Sequence, residues 1–360
     1  MKKLDLYIIK KYFATFFFTV CIISMIAVVI DFSEKVGKFI DKPVTTKEII
    51  FDYYLNFIPW INGLLWPLFA MIAVIFFTSR MAKDSEIIPM LSAGISYNRI
   101  LVPYIIASSM IAGLLWYGNN YLIPKTTKVK NEFEHKYIKS STKTMSSDIH
   151  CYINPNEKIY LRYFRKRDTS GQIFRIETFK DNKLVSFVKA NRIKLKTPPN
   201  RWTLFSFEER KFDGMQDSLL VAKGGKKDTT INLTVDDFIK NTRVMENMTS
   251  SSLREYITRE HARGLDTANA HVLELNRRNA DPFTIIILTL IGVAIASRKT
   301  RGGIGLHLAI GIVTGSAYVI LSRFASTFVS NLNFSPVLGV WIPNIVFGII
   351  AFVLVMRAQK

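Results

Sequence analysis

Tyr12-Phe-Ala-Thr-Phe-Phe-Phe-Thr-Val-Cys-Ile-Ile-Ser-Met-Ile-Ala-Val-Val-Ile30 decides the class of this chain. The run carries no charge, and as a helix rising about 1.5 Å per residue it spans the roughly 30 Å hydrocarbon core of a bilayer. Two further uncharged runs follow at about 54–79 and 100–121, interrupted only by the Pro and Gly that membrane helices tolerate. Hydropathy then falls, and returns at 282–296, 304–321 and 336–356. The expected fold is therefore an α-helical integral membrane protein with six transmembrane helices, three on either side of one polar insert. A signal peptide is the competing reading of the first run, because Lys2, Lys3, Lys10 and Lys11 precede it. The run is longer than a typical h-region and Ile30-Asp31-Phe32 offers no small-residue cleavage site, so the helix is expected to be retained.

The 360 residues include 48 Lys+Arg against 28 Asp+Glu, a formal charge of +20, with 49% hydrophobic residues. That apolar content excludes disorder as a global description. Cys21 lies in an apolar run and Cys151 in a polar one, which argues against a disulfide scaffold. So basic a chain first suggests nucleic acid, and the location of the charge decides otherwise. The four amino-terminal lysines, then Arg80, Lys83 and Arg99, then Arg298, Lys299 and Arg301, then Arg357 and Lys360, all fall on one side of the six spans. The other side has Lys35, Lys38, Lys42 and Lys47 diluted by acids, and no basic residue between Ser326 and Met356. The positive-inside rule puts both termini in the cytoplasm and the insert outside. From Tyr121 to Ala280 there are 31 basic and 19 acidic residues, a net +12. Such a domain outside the membrane suits anionic lipid or glycolipid headgroups and not nucleic acid; a basic surface that serves only solubility is the alternative.

Within the insert, Lys158–Phe164, Gln172–Phe179, Leu184–Val188 and Trp202–Phe207 are rich in β-branched and aromatic residues. Turn signals separate them at Thr169-Ser-Gly171, Asp181-Asn182, Pro198-Pro-Asn200, Asp213-Gly214 and Gly224-Gly225, which predicts a small all-β sandwich or open barrel. From Thr249 the period becomes helical, with Leu253, Tyr256 and Ile257 on one face, a break at Gly264, and a second helical stretch leading into the fourth span. The expected divisions are 1–121, a β-domain at 122–248, a helical connector at 249–281, and 282–360.

Catalytic signals are weak. Lys223-Gly-Gly-Lys-Lys-Asp-Thr229 lacks the upstream Gly of a P-loop and has Asp where Ser or Thr belongs, so the chain is not its own P-loop ATPase. His135, His150, His261, His271 and His307 are scattered, without metal-ligand spacing, and no G-x-S-x-G elbow occurs. No catalytic residue, metal ligand or bound cofactor is expected. The connection after the second span is more informative. In Asp84-Ser-Glu-Ile-Ile-Pro-Met-Leu-Ser-Ala-Gly94, Asp84 is placed to cap a short helix. Ile87, Met90 and Leu91 would form its apolar side, with Glu86 near its positive end and Gly94 as terminator. Such a helix either lies on the membrane surface or docks a partner.

Several motifs now resemble one family. They are Asp84-Ser-Glu-Ile-Ile88 with Ser92-Ala-Gly94; Met248-Thr-Ser250 with Leu253, Tyr256-Ile257 and Gly264; Arg277 or Arg278 with Pro282; and Arg301-Gly-Gly303 with Gly311, Gly315 and Tyr318. Their order within a layout of three spans, β-domain and three spans resembles the lipopolysaccharide-export permeases LptF and LptG. The resemblance implies a jellyroll-like external domain and a place in the bacterial inner membrane, paired with a paralogous permease. It implies two copies of an LptB-like cytoplasmic ABC ATPase, which alone handles ATP and Mg²⁺, and periplasmic LptC/LptA-like jellyroll partners. Extraction of lipopolysaccharide follows as the implied activity, with Asp84, Glu86, Ile87, Met90 and Leu91 coupling to the ATPase. Lys35, Lys38 and Arg323 become candidates for the lipid headgroup. Ile159, Leu161, Ile176, Val188 and Leu204 become candidates for an acyl path in the β-domain, or for its core. Two departures stand out: Pro89 falls inside the coupling helix, and Asp31 and Glu34 stand beside Lys35 and Lys38. A permease for another envelope lipid or lipoprotein, and a membrane-anchored β scaffold, are the alternative functions.

Overall fold

A computed structural model of the chain describes residues 3–138, 145–165, 167–181, 183–198, 200–213, 216–233, 235–238, 244–262, 268–298, 302–332 and 335–358. Gly214, Gly264, Lys299 and Arg301 lie outside them, as does the side chain of Cys151. Two compact units result: Met1–Ile138, Met245–Arg254 and Asn269–Lys360 form one, and Lys139–Val244 with Glu255–Ala268 the other.

In the first unit the helices are α1 Lys3–Ile40, α2 Thr46–Glu48, α3 Leu55–Lys83, α4 Ile87–Ser92, α5 Tyr97–Tyr117 and α6 Ile123–Phe133. After the insert come α7 Val244–Asn247, α8 Ser250–Ala262, α9 Ala268–Ala296, α10 Gly303–Leu332 and α11 Pro336–Ala358. Among the described residues six helical segments are long and apolar enough to cross a membrane, as the uncharged runs predict. Several of them outrun those apolar stretches, and two of these move a boundary. The third continues through a π-turn at Gly118–Leu122 and α6 as far as Ile138, so the inserted unit starts at Lys139 instead of near 122. The fourth is one helix with the second half of the connector, Pro282 included.

α3 packs against both α1 and α10. Small residues permit the close approach: a methyl at Gly311 would sit 2.3 Å from Ile75 Cδ1, one at Gly315 2.6 Å from Leu68 Cδ1, and one at Gly292 of α9 2.6 Å from Val74 Cγ1. With apolar lipid all around, polar pairs supply further adhesion between helices. Tyr12 Oη and Thr289 Oγ1 lie 2.8 Å apart, Ser24 donates to Asn62 at 2.8 Å, and Thr78 and Tyr104 pair at 3.1 Å. Tyr318 Oη and Thr284 both reach the Asn344 carbonyl oxygen at 2.9 Å, and Asn344 returns a bond to Ala280 O at 3.1 Å.

The second unit is built on one antiparallel sheet, a meander in the order β1 to β6: Met145–Asn154, Glu157–Arg165, Ser170–Lys180, Lys183–Thr197, Arg201–Asp213 and Gln216–Thr230. Among the described residues there is no second sheet; one sheet curls on itself. Phe164 of β2 and Trp202 of β5 are three strands apart, roughly 14 Å in a flat sheet, yet their rings are 6.4 Å apart. Phe238, on a 3₁₀ turn after β6, stacks on Phe164 at 5.2 Å and meets Trp202 edge-on at 5.3 Å, closing the curl. The bend has a cause in the strands. Asp148, Arg162, Ile173, Asn191 and Ser206 each drop out of the pairing at one level, as do residues 223–225 of β6. Asp148, Ile173, Ser206 and Gly224 there adopt positive φ. At this one level all six strands leave the pairing, with the register shifting only between β5 and β6, and the resulting crease lets Leu161 and Phe164 both face inward. Gly224-Gly225, which reads as a turn, is the β6 part of that crease.

Candidate functional site

The α3–α5 connection is where the sequence placed its coupling residues. Asp84 does not start α4; it closes α3. Ser85 takes φ 58° while its N–H bonds Ala82 O, and Glu86 N–H reaches back to Met81 O at 2.8 Å. This is a Schellman cap with Ser where Gly is usual. α4 therefore begins at Ile87, with Glu86 as its N-cap residue. Pro89 occupies the third helical position, where the missing N–H would have had no partner in the helix, so it breaks nothing. A second Schellman cap ends the helix: Gly94 at φ 80° bonds Leu91 O and Ile95 bonds Met90 O. Ser96 then caps α5, accepting from the Arg99 N–H. Successive caps thus join three helices with almost no loop between them.

The predicted apolar side of α4 is divided. Ile87 is buried and Met90 packs on the helical core, whereas Leu91, together with Ile88, is exposed. The polar residues tie the connection to the rest of the unit. Tyr7 Oη of α1 donates to Glu86 Oε2 at 2.9 Å, and Lys11 Nζ lies 3.7 Å from Glu86 Oε1. Arg99 reaches the buried carboxylate of Asp5 at 2.7 Å. At its two ends, Ser79 Oγ lies 2.8 Å from His307 Nδ1 of α10, and Tyr97 Oη 3.3 Å from Ser297 Oγ beyond α9. From sequence Lys11 counted only as a topology charge, and Tyr7 and Asp5 were not singled out; their spacing along the first helix was the only available signal of this contact.

Two other motif groups acquire physical reasons. Of Arg277 and Arg278, it is Arg278 that is buried. Its guanidinium donates to Met248 O at 2.7 Å, Met245 O at 2.8 Å, Ser250 Oγ at 3.3 Å and Glu274 Oε1 at 3.1 Å. The Met248-Thr-Ser250 motif and Arg278 are thus one joint, anchoring the start of α8, with Leu253 buried behind it.

The candidate headgroup residues do not converge. Lys35 is turned inward, paired with Asp31 at 2.5 Å, hydrogen-bonded to Tyr53 Oη and 4.7 Å from the Tyr53 ring. It belongs to a cluster missed from sequence, in which Lys130 is buried 3.7 Å over the Trp60 ring and 3.3 Å from Glu134. The Tyr53, Tyr54, Phe57, Trp60 spacing was the readable trace of it. Lys38 and Arg323 are exposed on separate helices. In the β-domain Ile159, Leu161 and Leu204 are buried core, while Ile176 and Val188 are partly buried against it.

The family model for the lipopolysaccharide export system permease LptF/LptG matches residues 6–357. The chain belongs to the LptF/LptG family. No curated protein matches it. As a member of the LptF/LptG permeases it is a transport protein of the lipopolysaccharide export system, working within the Lpt complex and not as an enzyme in itself. Its six apolar helices agree with a multi-pass membrane protein.

Proposed function

We propose that the chain is one of two permeases in an ATP-driven transporter that extracts lipopolysaccharide from the inner membrane and passes it to a periplasmic β-jellyroll bridge. Both termini and the α3–α5 connection face the cytoplasm, where a separate ABC ATPase dimer binds and hydrolyses ATP with Mg²⁺. The observation that carries this reading is α4, set between the Schellman caps that end α3 and α4 and presenting Ile88 and Leu91 outward beside Glu86. A rigid element of that kind, seated in a partner's cleft, moves as a body when the partner closes. Its motion passes to α3 and α5 through the caps, to α1 through Tyr7, Lys11 and Asp5, and to α10 through Ser79 and His307. Because α3 packs on α1 and α10, a displacement of α4 reaches the spans between which a lipid would be held.

The β-domain contributes a place for the bridge. β6 is an edge strand with one paired neighbour, and it exposes Leu219, Leu220 and Val221. An apolar unpaired edge favours strand addition by another β-protein, as expected for LptC/LptA-like partners.

The test is the lipid itself. Captured in nanodiscs with native lipids and analysed by mass spectrometry, the chain with its partner permease should retain lipopolysaccharide well above its share of the membrane. Retention of a different envelope lipid or a lipoprotein in its place would overturn the substrate assignment.

A further inference from the structure

The outward side of the sheet along the crease is unlike an ordinary solvated face. Tyr163, Gln172, Arg192, Phe205 and Lys226 stand opposite one another in register from β2 to β6, a row of roughly 19 Å at about 4.8 Å per strand. The row contains no acid. Arg192 lies 5.9 Å and Lys226 5.7 Å from the centre of the Phe205 ring, and Arg162 lies 5.4 Å from that of Tyr163. At the level where the strands leave the pairing, Asn191 and Ser206 also lie on the outward side. With Lys189 and Lys223 they line a notch, with Glu208 at its rim. Ser206 Oγ accepts the Gly224 N–H in the floor of the crease at 3.3 Å.

Most of the acids on the sheet are already committed. Glu177 faces Arg175 at 3.6 Å, Glu209 accepts from Lys227 at 2.6 Å, and Asp228 is bonded to Lys196 and Thr203. Their lysine bonds hold the Glu209 and Asp228 carboxyls below the usual carboxylate range, so both stay ionised and paired. Among the described residues Arg192 and Lys226 have no ion pair, whereas Lys189 stands opposite Glu208 in the β4–β5 register. Cations without counter-charges beside in-register aromatic rings offer two kinds of contact at once. The cations form charge-assisted bonds to phosphate or carboxylate oxygens, and the ring supplies an apolar platform for the face of a sugar.

We propose that this row is a binding face for an anionic oligosaccharide, in which Arg192 and Lys226 hold phosphate or carboxylate groups on either side of a sugar resting on Phe205. The proposal rests on the reading of the substrate as a glycolipid. It adds that the saccharide travels on the outside of the curl, over the crease, while the inward face is apolar. A pleated row several strands long and one residue wide matches an extended chain of sugars better than a flat bilayer surface.

The test uses the full chain in nanodiscs of neutral phospholipid. The probe is deacylated, fluorescently labelled lipopolysaccharide core oligosaccharide, either phosphorylated or enzymatically dephosphorylated. The phosphorylated probe should bind in a salt-sensitive manner, and both dephosphorylation and the double variant Arg192→Gln/Lys226→Gln should weaken it by roughly tenfold or more. Phe205→Leu, which keeps the charges, should weaken both probes. Equal binding to wild type and the double variant overturns the proposal. So does attraction only to nanodiscs enriched in phosphatidylglycerol with no binding of the soluble probe, which would mean a membrane-facing surface. Lipid capture separates the two readings: probe binding without lipopolysaccharide retention leaves this face standing and removes the transport assignment, and the reverse removes only this face.

Discussion

Arg278→Ala is expected to leave a chain that inserts in the membrane but loses the joint at the start of α8. The side chain is 4% exposed and satisfies two backbone carbonyls, Ser250 and Glu274 together. Removing it takes the guanidinium from both carbonyls and leaves Met245 O only the 3.4 Å bond from the Met248 N–H. The expected cost is about 3–5 kcal/mol, the range for breaking a buried charged network from one side. Glu274 keeps its contact with Arg277 at 3.1 Å, so the damage is to the connector and not to α9 as a whole. The measurable result is a lower melting temperature in detergent and rapid protease cleavage near 245–254. Arg278→Lys should rescue only part of this, since one ammonium cannot span the carbonyls that the guanidinium fork reaches. Arg277→Ala, removing a more exposed side chain, should do far less. Equal effects from the two arginines would show that the joint has been assigned to the wrong residue.

Glu86→Lys is the second large effect, and it acts on coupling. In the proposed account the carboxylate enters the cleft of the ATPase, and the lysine would bring a third cation next to Lys11 and Arg80 and remove the Tyr7 bond. Co-purification of the ATPase should be lost, with it ATP-dependent lipid release, while the six spans still insert. Tyr7→Phe separates docking from local packing. It removes one contact that holds Glu86 within the chain and leaves the carboxylate in place, so ATPase capture should be kept. Loss of capture in Tyr7→Phe but not in Glu86→Lys would reverse the roles assigned to these two side chains.

The spans were readable because an uncharged run of this length has few alternatives, and the turns at Asp181 and Pro198 because Pro fixes φ and Asp tolerates the positive φ that Asp181 adopts. Other features depended on partners that sequence does not reveal. Asp84 looked like a helix start because Asp is a favoured N-cap, but the left-handed turn at Ser85 makes it the C-cap of α3, 3.8 Å from Arg80. Gly224-Gly225 looked like a turn because turns and bulges ask the same positive φ of a glycine. Arg277 and Arg278 could not be separated by period, since neighbours on a helix point about 100° apart and only the position of Met248 decides which is buried. Lys35 invited a ligand role because its partner Tyr53, and Tyr54, which donates to Asp31, arrive from another helix. The crease was not legible, because from β1 to β5 it is a lapse in pairing at residues of ordinary type, without a change of register.

The split face of α4 supplies the most direct measurement. A photo-reactive amino acid at Leu91 or Ile88, both exposed, reports what covers the helix in native membranes. The account predicts a cross-link to a nucleotide-binding ATPase subunit that depends on Glu86 and changes in yield when nucleotide is trapped. Cross-links to phospholipid alone, unchanged by Glu86→Lys or by nucleotide, would place α4 on the membrane surface and contradict the coupling of this permease to ATP hydrolysis through that helix.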